Sequence, residues 1–302
     1  MSLIDFILNL AGLLLWLNWR AIRFDPLAKT TPATLTGTLR RAAPSRFKRW
    51  HLLAALAALL LLRALLYWQI GSAVNWTATL ELGAIAISFR SDFFGRALLF
   101  SLCSFTVAMA VTFLWLLFLS LLKRPAVESD ALQQLVRAQL GRVDNWPRSM
   151  KAALPLVAVA GAWWLLSWPF ARWAIVPHPA TAVQRLEQAL VIGLGSYLAW
   201  KSLIVAVLLL HVVNSYVYFG NYAFWNYLNG LARRLLVPLR RAPLRVGRVD
   251  FAPVLAIVLV FLFANFAENG FKTAPRTDEQ GKHQPPLIEI PGLVDLYRTV
   301  SR

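Results

Sequence analysis

The stretch Gly141-Arg142-Val143-Asp144-Asn145-Trp146-Pro147 returns later in the chain as Gly247-Arg248-Val249-Asp250-Phe251-Ala252-Pro253, with five of seven positions the same. Each copy lies in a basic segment just ahead of an apolar run. Two further apolar runs separate the copies, so both elements face the same side of any bilayer that those runs cross. The pattern predicts a two-helix membrane unit duplicated in parallel, about an axis along the membrane normal. Inverted repeats are the commoner mark of alternating-access carriers.

Composition agrees with a membrane class. Apolar residues make up 58% of the 302, and thirteen residues are tryptophan, which is more than one ordinary soluble core requires. Six runs approach or exceed the roughly 20 apolar residues of a spanning helix: about 3–19, 51–70, 97–122, 152–172, 189–218 and 251–267. The first is short and reads as a tilted or partial span; the fifth is longer than a bilayer needs. The fold class expected is therefore all-α and polytopic. Its sections are an N-terminal region over 1–96, a first and more degenerate repeat over 97–175, a second over 189–267, and a tail over 268–302.

Charge fixes the expected orientation. The formal net charge is +17, with eight Lys and Arg between the first two runs and six in each of the third-to-fourth and fifth-to-sixth loops. The intervening loops carry two each, Arg90 with Arg96 and Arg172 with Arg185. Lys and Arg accumulate on the cytoplasmic side, so both termini are expected outside. The N-terminal run has no basic residue before it and no small-residue cleavage pattern after it, so it reads as an uncleaved helix. Anionic lipid headgroups are the nearer partner for this charge; direct nucleic-acid binding is not expected.

The two cytoplasmic loops of the repeat read as amphipathic elbows. In the first, Ser129 or Asp130 can cap a short helix that Gly141 ends, with Leu132, Leu135, Val136 and Leu140 on one face. In the second, Leu228, Leu231, Leu235 and Leu236 line a face beside Arg233 and Arg234 until Pro238, and Arg240 and Arg241 follow. Such segments lie in the headgroup plane. Arg233, Arg234, Arg240, Arg241 and Arg248 are thus candidate lipid- or partner-binding residues; the plainer reading is a topology anchor. Asp250 and Asp144 are placed to cap the helices that follow, and Pro253 and Pro147 stand near the helix starts, where a missing N–H is harmless.

Around the second copy the chain resembles the YggT (YlmG-like) family of small integral membrane proteins. The residues that carry the resemblance are Asn214-Ser215-Tyr216, Phe224-Trp225-Asn226-Tyr227-Leu228, Leu235-Leu236-Val237-Pro238-Leu239-Arg240-Arg241 and Gly247 to Pro253. Tyr216 stands where the family pattern has Trp and Ala252 where it has Ser. The first copy keeps Asp144 and Pro147 but lacks the Pro-Leu-Arg-Arg element. The resemblance covers residues 190–267 well and 97–170 weakly. It implies two-helix units, a bacterial-type plasma (inner) membrane, and a role in membrane organisation or assembly. It supplies no catalytic residues.

Ionisable residues inside spans merit a functional hypothesis. Arg63 lies within the second run, and Lys201 within the fifth. His211 shares a helical face with Asn214 and Ser215. The plain readings are a snorkelling Arg63, an interfacial Lys201 and a helix-to-helix hydrogen bond for His211. The sharper reading is a small channel or transporter with Arg63, Lys201 and His211 along its path. The four histidines show no metal-ligand spacing, the lone Cys103 excludes an intrachain disulfide, and no nucleophile elbow, phosphate loop or CxxC pair is present. No cofactor or metal is expected. Gly193-Leu194-Gly195 reads as small-residue helix packing. Thr273 to Pro286 reads as a mobile connector, and Leu287 to Val300 as a segment that docks on the outer surface. The function expected is a non-enzymatic scaffold or assembly factor, with another membrane protein or further copies of itself as partners.

Overall fold

A computed structural model describes residues 3–21, 49–74, 77–83, 85–90, 93–122, 131–177, 179, 181–217, 223–241, 245–246, 249–272, 276–277, 283–284 and 289–301. Among the described residues the protein is mostly helical, and six helices are long and apolar enough to cross a membrane. Helices α1 (Leu3–Ala21) and α2 (Arg49–Val74) are followed by strands β1 (Thr77–Leu82) and β2 (Ile85–Arg90), which pair with each other. Next come α3 (Phe94–Leu121), the short α4 (Ala131–Leu140) and a 3-10 turn (Gly141–Asn145), then α5 (Arg148–Arg172). A nearly continuous helix follows: α6 (Ala182–Gly195), a 3-10 segment (Ser196–Leu198) and α7 (Ala199–Tyr216). Helix α8 (Ala223–Leu235) leads through a 3-10 turn (Val237–Arg241) and strands β3 (Arg245–Val246) and β4 (Val249–Asp250) into α9 (Ala252–Asn269). The tail adds β5 (Gly270–Lys272), β6 (Arg276–Thr277), β7 (His283–Gln284), β8 (Glu289–Pro291) and α10 (Leu293–Val300).

The long helices follow from composition. Segment α2 is built mainly of Leu and Ala, strong helix formers, and is apolar on every side, as a lipid-embedded helix must be. Large apolar side chains such as Leu165, Leu262 and Phe263 remain exposed, as expected of surfaces facing acyl chains. The fourth span begins at Arg148, earlier than the apolar run at 152, because the side chain of Lys151 is buried and paired. The fifth begins at Ala182 rather than 189.

Two compact units divide the chain: Met1–Leu80 with Ile87–Ala110, and Glu81–Ala86 with Val111–Arg302. In the first, α1 packs on α2. The β hairpin was not expected from the sequence, although its alternation is plain in retrospect. Ala78, Leu80, Ile87 and Phe89 are buried while Thr77, Thr79 and Ser88 are exposed, the period-2 signature of a strand. The Phe89 ring lies 5.6 Å from that of Phe100, which in turn meets Tyr67 edge-on at 5.6 Å.

In the second unit α5 and α6 form a close hairpin. Its tightest point is Gly193, where a Cβ would stand 2.8 Å from the Leu156 carbonyl oxygen and 3.1 Å from Ala160 Cβ. The small-residue reading of Gly193 therefore holds. Helix α7 packs on α8 and α9 around Val207, Leu208, Leu231, Ala232, Leu236 and Ala256. Helix α10 docks on α6 and α9, and β8 pairs antiparallel with β5, in agreement with the docking expected of residues 287–300.

Candidate functional site

The first unit contains a buried charged network that the sequence pointed to through one residue only. Arg63 is 1% exposed, so it does not snorkel. Its Nη2 donates to Asp5 Oδ1 at 2.9 Å and to Ser104 Oγ at 2.8 Å, and its Nη1 donates to Asn9 Oδ1 at 2.7 Å. Asn9 Nδ2 donates to Ser104 Oγ at 3.1 Å, and the Tyr67 hydroxyl donates to Asp5. The guanidinium lies 5.4 Å from the centroids of both Tyr67 and Phe100. Helices α1, α2 and α3 are thereby joined around one neutralised ion pair. Snorkelling fails for Arg63 because its two terminal nitrogens find three acceptors inside the bundle, while its Nε is buried without a partner.

Asp5 and Asn9 are one turn apart on α1, as are Arg63 and Tyr67 on α2. Polar residues four apart on one face of an otherwise apolar helix are the sequence signal for Arg63's partners.

A second cluster gathers at the first copy of the repeated element. Gly141 has φ +58 and ends α4, as its sequence position suggested. The following 3-10 turn directs Asp144 inward, where it is buried. Ser120 Oγ donates to Asp144 Oδ1 at 2.6 Å and accepts from Lys151 Nζ at 2.8 Å. Lys151 Nζ also donates to the Asp144 main-chain oxygen at 2.6 Å and lies 3.8 Å from its carboxylate. Arg137 Nε completes the set at 3.5 Å from Asp144 Oδ2. The helix-cap reading of Asp144 is thus overturned. The N-cap position of α5 is Pro147, with no side-chain cap bond, because Ser120 and Lys151 are the nearer partners for the carboxylate.

At the second copy, the N-cap position of α9 is Phe251, again with no side-chain cap bond, and Pro253 stands in the first helical turn. Asp250 ends β4 opposite Arg245 rather than occupying the cap. The side chains of Asp250, Arg240 and Arg241 lie outside the described residues, as do Gly247 and Arg248 entirely. The same holds for Ser129, Asp130 and the side chains of Leu132 and Leu135.

Lys201 and His211 occupy two further, separate pairings. Lys201 Nζ meets Glu268 Oε1 at 2.9 Å, both side chains being about a third exposed. His211 Nδ1 lies 2.8 Å from Asn229 Oδ1 on α8, a helix-to-helix hydrogen bond whose partner is neither Asn214 nor Ser215. Ten residues of helix, roughly 15 Å, separate Lys201 from His211.

The second elbow forms as helix α8, ended by the turn containing Pro238. Its apolar face does not lie open to a headgroup plane. Leu228, Leu231 and Leu236 are buried, the latter two in the cluster with α7 and α9. Arg234 is committed as well, donating to the Leu122 carbonyl at the end of α3, where a cation satisfies a terminal carbonyl and complements the helix dipole. Arg233 is exposed.

Chemically, Ser120 beside Lys151 has the spacing of a serine–lysine nucleophile pair. Ser120 Oγ is shared between the Asp144 carboxylate and Lys151, whose Nζ also bonds the Asp144 main-chain oxygen. Ser120, Asp144 and Lys151 are all buried. Among the described residues no three His, Cys, Asp or Glu side chains converge in a way that could hold a metal ion. No family model, no curated protein and no solved structure matches the chain at a significant level.

Proposed function

We propose that this chain is a non-enzymatic scaffold or assembly factor of the YggT-like kind, lying in a bacterial-type plasma membrane with both termini extracytoplasmic. Its basic cytoplasmic elbows engage anionic lipid or a partner membrane protein. In this reading α3–α4–α5 and α7–α8–α9 are two parallel copies of one unit, each a span, a short amphipathic helix, the repeated seven-residue element and a second span.

One observation carries the proposal. Arg63, Lys201 and His211 are each engaged within the chain in separate pairings. Meanwhile α8 spends its apolar face on the bundle and leaves Arg233 exposed. Internal polar groups that satisfy one another hold helices together, and the charge left exposed is suited to an external surface. The same three separate pairings speak against a shared path through Arg63, Lys201 and His211.

The test is quantitative crosslinking in cells with mass spectrometry, comparing wild type with a variant carrying Gln at 233, 234, 240 and 241. A stoichiometric partner or a bound anionic lipid lost from the variant is the expected result. Self-crosslinks alone, together with ion flux from reconstituted protein, would replace the scaffold with a homo-oligomeric pore.

A further inference from the structure

We propose that Arg172 and Arg185 form a binding site for the phosphate of a membrane phospholipid at the far end of the α5–α6 hairpin from Lys151. Trp164, Trp168 and Arg172 are spaced by four along α5 and share one stripe of it. The Arg172 guanidinium lies 3.9 Å from the Trp168 ring centroid, and that of Arg185, reaching across from α6, lies 4.7 Å from the Trp164 centroid. Two cations thus stand on successive indoles of one helix, whose Cβ atoms are about 6 Å apart.

Arg185 is held in place by neutral acceptors. Its Nε donates to Ser167 Oγ at 2.7 Å and its Nη2 to the Trp164 carbonyl; Ser167 is 1% exposed. Nη1 is not engaged by either bond. Neither arginine has a carboxylate partner among the described residues, and the acid nearest Arg185 in sequence, Glu187, is exposed. The other cations of the ion pairs described above each have a carboxylate partner; Arg172 and Arg185 have none among the described residues. Two cations on neighbouring indoles with no acid partner leave a positive charge that a bound anion would offset. A phosphodiester presents two charged oxygens that match the planar forks of guanidinium groups.

The surroundings select a lipid over a free phosphate. Leu165, Val183, Leu186 and Leu190 are exposed beside the site, and Trp168 and Trp173 give the indole belt of a membrane–water boundary. A lipid phosphate would sit on the arginines with its acyl chains along these residues. Because the loop joining these helices carries no other Lys or Arg, the site is distinct from the basic elbows.

The experiment is native mass spectrometry of the delipidated full-length protein titrated with phosphatidylglycerol, with diacylglycerol as the phosphate-free control. Arg172→Gln is the primary variant because, among the described residues, Arg172 has no side-chain hydrogen bond or ion pair and stacks on Trp168; unchanged thermal unfolding verifies that the fold is kept. One fewer bound phosphatidylglycerol, or roughly tenfold weaker binding at one site (about 1.4 kcal/mol), is expected in Arg172→Gln and in the double variant with Arg185→Gln. Unchanged stoichiometry and affinity in Arg172→Gln would overturn the proposal. So would equal retention of diacylglycerol, or displacement of the lipid by inorganic phosphate alone, which would assign the site to a free anion.

Discussion

Lys151 Nζ stands 2.6 Å from the main-chain oxygen of Asp144, and this contact ties the first turn of α5 to the turn that precedes it. Ser120 extends the tie to the end of α3. Replacing Lys151 by Met removes the buried cation beside the Asp144 carboxylate, with Ser120 and the half-exposed Arg137 still in place. A loss of about 3–5 kcal/mol is expected, against about 1–3 kcal/mol for Ser120→Ala. Unfolding in detergent checks the order; equal, small effects would remove the cluster from the structural account.

Arg63 requires a fork. Its two terminal nitrogens serve three acceptors on α1 and α3, so Arg63→Lys should rescue little of the defect seen in Arg63→Leu. Protease sensitivity of the N-terminal helix reports this. Full rescue by Lys would mean that only the charge matters.

Gly193 and Gly161 provide an internal comparison. A Cβ at 193 meets the Leu156 carbonyl at 2.8 Å, whereas one at 161 meets nothing within 4 Å. Gly193→Ala is expected to cost about 1–3 kcal/mol through forced separation of α5 and α6. Gly161→Ala should be neutral or stabilising by up to about 1 kcal/mol. Thermal unfolding of the two variants side by side tests the hairpin's closest approach.

The two neighbouring arginines of α8 should separate by readout. Arg234→Gln removes a cap on α3 and lowers stability by about 0.3–1 kcal/mol. Arg233→Gln leaves stability unchanged and weakens retention of anionic lipid. A stability loss at 233 with none at 234 would reverse their assigned roles.

The membrane class and six spans were legible because apolar length is a one-dimensional property, as α2 and α9 illustrate. Gly141 was legible because a helix end needs a positive φ locally. The partners of Arg63 were not, since Asp5 and Ser104 come from runs whose adjacency no local pattern encodes. Asp144 misled for a related reason. Its position before a helix suits a cap, but a distant serine and a lysine inside the apolar run compete for the same oxygens. The hairpin over 77–90 carries a local alternation, but each strand is only six residues long and its pattern is short beside the apolar runs on either side.

The Arg63 network also sets an order of events during synthesis. Asp5 leaves the ribosome 58 residues before Arg63, and Asn9 leaves 95 residues before Ser104. At ribosomal rates of roughly 5–20 residues per second, α1 waits on the order of 5–20 s for its last partner. The Asp5–Arg63 pair can therefore form only after α2 has been made, and the full network that includes Ser104 only after α3.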